Sequence, residues 1–225
     1  MIKLSNVQIK EAFGKMSKTN ISDYKFLSDF IYNKVGLSLN AKTLKIIDDK
    51  KMKCWGGLKC KQYPDELAKL LVFIYKNKDR INSYCEIGVE RGGTFFVIDS
   101  FLRAINPHMK RSTAVDIKGN ILNNNFREYK EKYNEVDFIK INSKDFKPLI
   151  KYDLCFIDGG HSYNSVKNDY LLMKEHARII AFHDIKLKGF GISKVWESIR
   201  GNKIEFLNED DKFKIPLGIG VNYGW

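Results

Sequence analysis

The stretch 84–94, Tyr-Cys-Glu-Ile-Gly-Val-Glu-Arg-Gly-Gly-Thr, limits what this chain can fold into more than any other. A short apolar run ends near an acidic residue, a glycine-bearing turn follows, and a new apolar pattern opens over 95–102. That order predicts strand, tight turn, helix. Glycine has no Cβ and tolerates positive φ, so Gly88, Gly92 and Gly93 are expected to let backbone approach a ligand closely. A helix starting near Thr94 would aim its free N–H groups at the same place. An ordinary strand-to-helix turn also uses glycine for geometry alone, so downstream residues must decide between the two readings.

Downstream the pattern alternates. Strands are expected at 84–87, 112–117, 137–141, 152–157 and 178–182, with helices at 94–105, 125–133 and 165–176 and a short helical turn within 143–149. A glycine-rich loop at 188–191, a helix at 193–200 and strands at 203–207 and 218–222 complete the series. Strand–helix alternation of this kind builds a parallel sheet covered on both faces. Ahead of it, Pro64 suits the start of a helix over 65–77 with Leu67, Leu70, Leu71 and Ile74 inward.

Residues 1–57 differ in character. Ser22 is placed to cap a helix over 23–34 with Phe26, Leu27, Phe30 and Ile31 on one face, Gly36 to stop it, and 41–52 to form a second helix. Both are too short for a core of their own and are expected to pack on the main domain or on a partner subunit of a homo-oligomer. The division is therefore a helical cap over 1–61 and a main domain over 62–225. With 225 residues, 44% of them hydrophobic, one sizeable domain plus this appendage is expected.

No apolar run is long enough to span a bilayer, and the polar start over 1–18 lacks a signal-peptide pattern, so a cytoplasmic protein with reduced thiols is expected. Cys85 and Cys155 fall in strand-like runs, and Cys54 and Cys60 lack the spacing of a zinc knuckle. The net charge of +12 comes nearly all from scattered lysine. A solvated basic surface is the expectation, with nucleic-acid binding as the alternative.

Two acidic strand ends give the glycine turn a chemical context. Asp116 ends the second strand, which neighbours the first in a doubly wound sheet, and a carboxylate there can accept from both hydroxyls of a ribose. Asp158 ends the fourth strand, across the switch point where ligands bind such sheets. A helix cap or surface acid would explain Asp116 alone, but neither role requires two acids at the carboxyl ends of strands.

The motifs Glu86-x-Gly88-x-x-x-Gly92-Gly93-Thr94, Asp116, Phe156-Ile157-Asp158-Gly-Gly-His161-Ser-Tyr163 and Ala181-Phe182-His183-Asp184 resemble class I S-adenosylmethionine-dependent methyltransferases. Within them, the chain is most similar to the branch of macrolide-sugar O-methyltransferases and cephalosporin-hydroxylase-like proteins. The resemblance covers about 62–221. It implies a Rossmann-like sheet of seven strands in the order 3-2-1-4-5-7-6, with strand seven antiparallel. By resemblance, Glu86 and Gly88 bound the methionine end of S-adenosylmethionine, with the Gly92-Gly93-Thr94 turn close against its backbone and Asp158 also among the cofactor-binding residues. Asp116 would hold its ribose, Asn142 and Ser143 lie by its adenine, and Asp158 and His161 stand at the active-site rim. Three departures stand out: Glu90 at a position often glycine, Glu175-His176-Ala177-Arg178 in place of a glycine-containing turn, and His183 where metal-dependent members carry an acid.

The chemistry follows from the residues. A sulfonium methyl is already activated, so the protein must mainly align donor and acceptor and exclude water. A hydroxyl acceptor must also lose a proton, which calls for a general base or a metal. His161 follows Asp158 by three residues through a Gly-Gly loop and has the side chain that titrates nearest neutrality. Asp158, Asp184 and His183 form a candidate set for Mg²⁺ or Mn²⁺, against a plain hydrogen-bonded cluster. His108 and His176 receive no role, Trp196 reads as core, and 55–63 with 188–191, bearing Trp55, Tyr63 and Phe190, could form a lid.

The expectation is an O-methyltransferase acting on a hydroxyl of a small or carbohydrate acceptor and releasing S-adenosylhomocysteine. The alternatives are an RNA ribose methyltransferase, with Lys186 or Lys188 and Glu205 as candidates, and a non-catalytic binding protein on the same fold. A nicotinamide dehydrogenase fits less well, because the glycine spacing is not G-x-G-x-x-G.

Overall fold

Strand residues alternate between two apolar clusters, and that alternation fixes which helices can cover which face. The structure, a computed structural model, describes residues 3–38, 57–118, 124–209 and 217–224. In chain order the helices and strands are α1 (Ile9–Gly14), α2 (Lys18–Ser22), α3 (Tyr24–Phe30), α4 (Pro64–Lys76), β1 (Ser83–Ile87), α5 (Gly93–Ile105), β2 (Arg111–Asp116) and α6 (Asn124–Lys132). They continue with β3 (Val136–Lys140), β4 (Tyr152–Ile157), α7 (Tyr163–His176), β5 (Ala177–Phe182), α8 (Gly191–Ser198), β6 (Asn202–Phe206) and β7 (Ile219–Tyr223). The seven strands form one sheet in the order β3-β2-β1-β4-β5-β7-β6, parallel except for β7, which runs antiparallel to β5 and β6. This is the expected Rossmann-like order. It places the switch point between β1 and β4, where the chain leaves one half of the sheet for the other.

On one face Tyr84, Ala114, Leu154, Phe156 and Ala181 pack against helices α1 to α6. On the other, Cys85, Ile87, Cys155, Ile157 and Phe182 pack under α7 and α8. Trp196 belongs to that second core as expected; its ring meets Phe182 at 5.8 Å between centroids, and its Nε1 donates to Glu205 at 2.7 Å. Gly220 is required beneath it, because a Cβ there would come within 2.8 Å of the indole.

The N-terminal helices share the sheet's core. Ile9, Phe13, Leu27, Ile31 and Val35 are buried in the same cluster as Leu67 and Phe101, and Phe13 meets Phe101 edge-on at 5.1 Å. Periodicity did not reveal α1, which is too short and too interrupted by charge. The cap residue is corrected as well: Asp23, not Ser22, accepts from the N–H groups of Lys25 and Phe26, while Ser22 closes α2. A carboxylate at that position also complements the helix dipole. The α-helical geometry ends at Phe30, and a π turn over Ile31–Val35 carries the chain to Gly36, whose φ of 92° ends the helical run as expected. The expected helix at 41–52 lies outside the described residues, as do Cys54 and Trp55. No described helix is long and apolar enough to cross a membrane.

The unusual Glu175–Arg178 segment needs no glycine, because α7 ends at His176 and β5 begins at Ala177, whose extended φ of −139° is open to any residue.

Glu66, in the first turn of α4, ties the far end of the sheet to that helix. Its Oε1 accepts from the N–H groups of Gly218 (2.9 Å) and Asn208 (3.2 Å), while Oε2 is buried with no hydrogen-bond partner among the described residues. Burial pushes its carboxyl up from 4.5 to about 7, against the pull of the His183 charge. A raised carboxyl leaves the folded protein binding more protons than the unfolded chain between those values. Its stability contribution is therefore complete below about pH 4.5 and lost as pH rises through about 7, a change of ~3 kcal/mol. Glu66→Gln keeps the two accepted bonds and removes the charge. Denaturant titrations should show it gaining on the wild type by ~3 kcal/mol between pH 4.5 and 7.5. A constant difference across that range would show that Glu66 does not titrate there.

Candidate active site

A cavity of about 780 Å³ opens at the carboxyl ends of the central strands. The βα turn after β1, the acid ending β2, the turn after β3 and the loops after β4 and β5 all line it, as the switch point dictates. Among the expected residues Glu86, Gly88, Gly93, Thr94, Asp116, Asn142, Ser143, Asp158, His161, His183 and Asp184 border it.

The protein's own packing requires the glycines. Gly88, at φ 92°, donates its N–H to Val115 O at 2.8 Å, and a Cβ there would lie 2.2 Å from Asp158 O. A Cβ on Gly93 would lie 2.6 Å from Leu58 O. Gly92, at φ 86°, has its missing Cβ directed at Phe126 and Phe96 and does not line the cavity. Each absent side chain makes room for neighbouring protein, and Gly88 and Gly93 also line the cavity.

Asp116 is held by two short backbone bonds, from Glu90 N to Oδ2 and from Lys118 N to Oδ1, both 2.6 Å. Each oxygen keeps a second lone pair for another donor. Glu90 itself adopts φ 48°, which explains why glycine suits this position. Its side chain pairs with Lys61 at 2.6 Å. Glu86 is buried at the base, where it accepts from the Tyr84 hydroxyl. Burial, reinforced by the charges of Asp158 and Asp116, raises its carboxyl well above the usual range despite that bond. A cation in the cavity would draw the proton off. At the opposite end Asn142 precedes a 3₁₀ turn, Ser143–Asp145, and caps it by accepting from Lys144 N at 3.2 Å.

Beyond β4 and β5 the acids and histidines converge. Nδ1 of His183 lies 3.3 Å from Oδ1 of Asp158 and 3.3 Å from Oδ1 of Asp184. Burial alone would lower its pKa, but the carboxylates of Asp184 and Asp158 outweigh that and carry it to about 10. With no cation bound, the two carboxylates favour the imidazolium of His183 near neutral pH, and a ligating imidazole would have to give up that proton. Among the described residues the group whose ligand atoms lie within 4.8 Å of one another is Asp158, His161 and Asp184. Burial raises the Asp184 carboxyl, with the His183 charge opposing, and its backbone sits at φ 63°. A non-glycine residue held there is a form of strain that gathers at functional sites.

His161 Nε2 lies 3.5 Å from Asp184 Oδ2 and 4.0 Å from Asp158 Oδ1. Its ring meets Phe190 edge-on at 5.5 Å, and its carbonyl accepts from Gly191 N at 2.9 Å, which fastens the loop before α8 onto the histidine loop. Phe190 remains exposed at the cavity edge. Tyr63 does not belong to a lid: it is fully buried at the start of α4. His176 bonds Leu172 O at 2.8 Å, and neither it nor His108 lines the cavity.

Sequence reasoning missed Lys61 and Gln62, which come from the chain ahead of the sheet. Gln62 is fully buried; its Nε2 donates to Asp158 Oδ2 at 2.7 Å, and its Oε1 accepts from the Thr94 hydroxyl. Nothing in local pattern marks them, since only folding brings residue 62 beside residue 158.

Residues 85–185 match the model of a family described as a methyltransferase domain. No curated protein matches the chain in sequence. Among solved structures, the O-methyltransferase TomG of Streptomyces achromogenes, involved in tomaymycin synthesis and crystallised with S-adenosylmethionine, is similar at TM-score 0.53 and 11% identity, over 93% of this chain and 100% of that one. A candidate RNA methyltransferase of Pyrococcus horikoshii is similar at 0.53 and 11%, over 88% of this chain and 95% of that one. The N-methyltransferase NodS of Bradyrhizobium japonicum, in complex with S-adenosyl-L-homocysteine, is similar at 0.51 and 10%, over 80% and 95%. At such identities the likeness is one of fold.

Proposed function

We propose that this chain, an S-adenosylmethionine-dependent methyltransferase by its matched domain and its sheet, methylates a hydroxyl of a small or carbohydrate-like acceptor. One observation carries the reading: the Gly88 turn, Asp116 and the Asp158–His161–Asp184 cluster line a single cavity. Its volume of about 780 Å³ lies within the ~300–1,000 Å³ of small-molecule sites. An acid-rich base also suits a cationic cosubstrate, because a positive charge beside Glu86 would restore its carboxylate.

S-adenosylmethionine supplies an activated methyl group and leaves as S-adenosylhomocysteine. Asp116 receives the ribose hydroxyls, the wall at Asn142 and Ser143 receives the adenine, and Glu86 faces the methionine end. His161 Nε2 takes the proton from the acceptor oxygen as the carbon–oxygen bond forms, and Asp184 at 3.5 Å stabilises the imidazolium that results. Asp158 and Asp184 would also suit Mg²⁺ or Mn²⁺, since carboxylates are hard oxygen donors, and His161 would add a borderline nitrogen donor; there the ion would lower the acceptor's pKa. Both uses engage the same nitrogen of His161, so chelation separates them.

The test is a panel of sugars, phenols and RNA incubated with methyl-labelled S-adenosylmethionine, with and without chelator. Label should enter a small hydroxyl compound. The net charge of +12 makes RNA the second reading, and weak binding that collapses with salt is expected there. Sequence-selective RNA binding at physiological salt would overturn the acceptor class. Asp116→Ala should weaken S-adenosylhomocysteine binding by about 1–3 kcal/mol in calorimetry. Equal affinity in the variant would remove Asp116 from the ribose site.

A further inference from the structure

Gln62 stands at the only described point where the chain ahead of α4 makes a side-chain hydrogen bond to the Asp158–His161–Asp184 cluster. Its amide orientation is set by chemistry: a carboxylate only accepts, so the nitrogen must face Asp158, which leaves the oxygen to accept from Thr94. Thr94 belongs to the first turn of α5, beside the cofactor wall. The bond at 2.7 Å occupies Asp158 Oδ2 and turns Oδ1 toward His183 at 3.3 Å and His161 at 4.0 Å. The neighbouring Lys61, paired with Glu90, anchors the same segment to the glycine turn. Backbone bonds hold it from behind, from Leu58 N to Val35 O at 2.9 Å and from Cys60 N to Gly36 O at 3.0 Å.

We propose that Gln62 is a positioning residue for methyl transfer: it fixes the Asp158 carboxylate against the histidines, so that the segment joining the N-terminal helices to the sheet completes the active site. The inference rests on the methyltransferase reading of this cavity. A buried amide that only filled space would be replaceable by an apolar side chain of the same length. A positioning amide would not be, because Asp158 would lose the donor that sets its rotamer.

Gln62→Met preserves length and removes both hydrogen bonds. With the acceptor found by the panel, its kcat should fall ~10–100-fold, the usual loss when a supporting partner of a site residue is removed. The S-adenosylhomocysteine Kd should change less than ~3-fold, and in the Asp158→Asn background the same substitution should cost almost nothing further. Gln62→Glu, which sets a like charge against Asp158, should lower kcat at least as much. A high-resolution crystal structure of Gln62→Met should show the Asp158 carboxylate rotated away from His183. Unchanged kcat in Gln62→Met, or an equal loss added in the Asp158→Asn background, would overturn the proposal. A wild type that neither binds S-adenosylhomocysteine nor methylates any acceptor would sink the methyltransferase reading instead. The crystal structure would then still judge Gln62, with an unmoved Asp158 counting against it.

Discussion

His161→Ala is expected to slow turnover by about 10²–10⁴-fold, the contribution of a positioned general base. Affinity for S-adenosylmethionine should change little, because the imidazole stands with Asp158, Asp184 and Phe190 beyond β4 and β5, and β1 separates those strands from β2, which ends at Asp116. The loss should fall on kcat with any acceptor the enzyme accepts. Asp184→Asn offers a control, since it keeps the shape of the side chain and removes the charge facing His161. A His161→Ala enzyme with unaltered rate would leave this histidine a loop residue held by Phe190 and Gly191. If chelation abolishes wild-type turnover, the loss in His161→Ala is assigned to a missing ligand rather than a missing base.

The second large effect is on the fold. Gly88→Ala places a methyl group 2.2 Å from the carbonyl oxygen of Asp158, at a φ of 92° that side chains rarely adopt. The backbone conformation alone costs about 1–2 kcal/mol, and overpacking against main chain about 1–3 kcal/mol more. A loss of ~3 kcal/mol or greater is expected in denaturant titrations at unchanged m-value. Neighbouring β1 and β4 would have to move apart, carrying Asp158 with them, so activity should fall even where the variant remains folded. Gly14→Ala makes the comparison, because no atom of the described residues lies within 4 Å of where its Cβ would stand, and the site sits in α1. Stability equal to the wild type in Gly88→Ala would mean that the β1 turn is free to relax.

How much of this was legible depended on how local the determinant was. Short runs rich in apolar residues located the strands to within a residue or two, because the central strands β1, β2, β4 and β5 are buried on both faces. The helix boundaries were softer. Side-chain caps decide them, and Asp23 and Ser22 are equally good caps on paper; only the turn actually formed selects Asp23. Helix α1 escaped notice because its two buried residues, Ile9 and Phe13, acquire meaning only against Phe101.

The sequence by itself determined the succession of strands and helices along the chain, the acids at the carboxyl ends of β2 and β4 and the Asp-Gly-Gly-His loop, since each is written within a few consecutive residues. Tertiary structure decided the rest. Gly88 is glycine because of residue 158, and Gly93 because of residue 58. Likewise, only the fold sets His183 against the carboxylates of Asp158 and Asp184 and brings Asp158, His161 and Asp184 together as a candidate metal group. Gln62 reaches Asp158 across a sequence separation of 96 residues. Hydrogen bonds and Coulomb forces act over a few ångströms of space, whatever the distance along the chain, and periodicity carries no information about which distant residues will share that space.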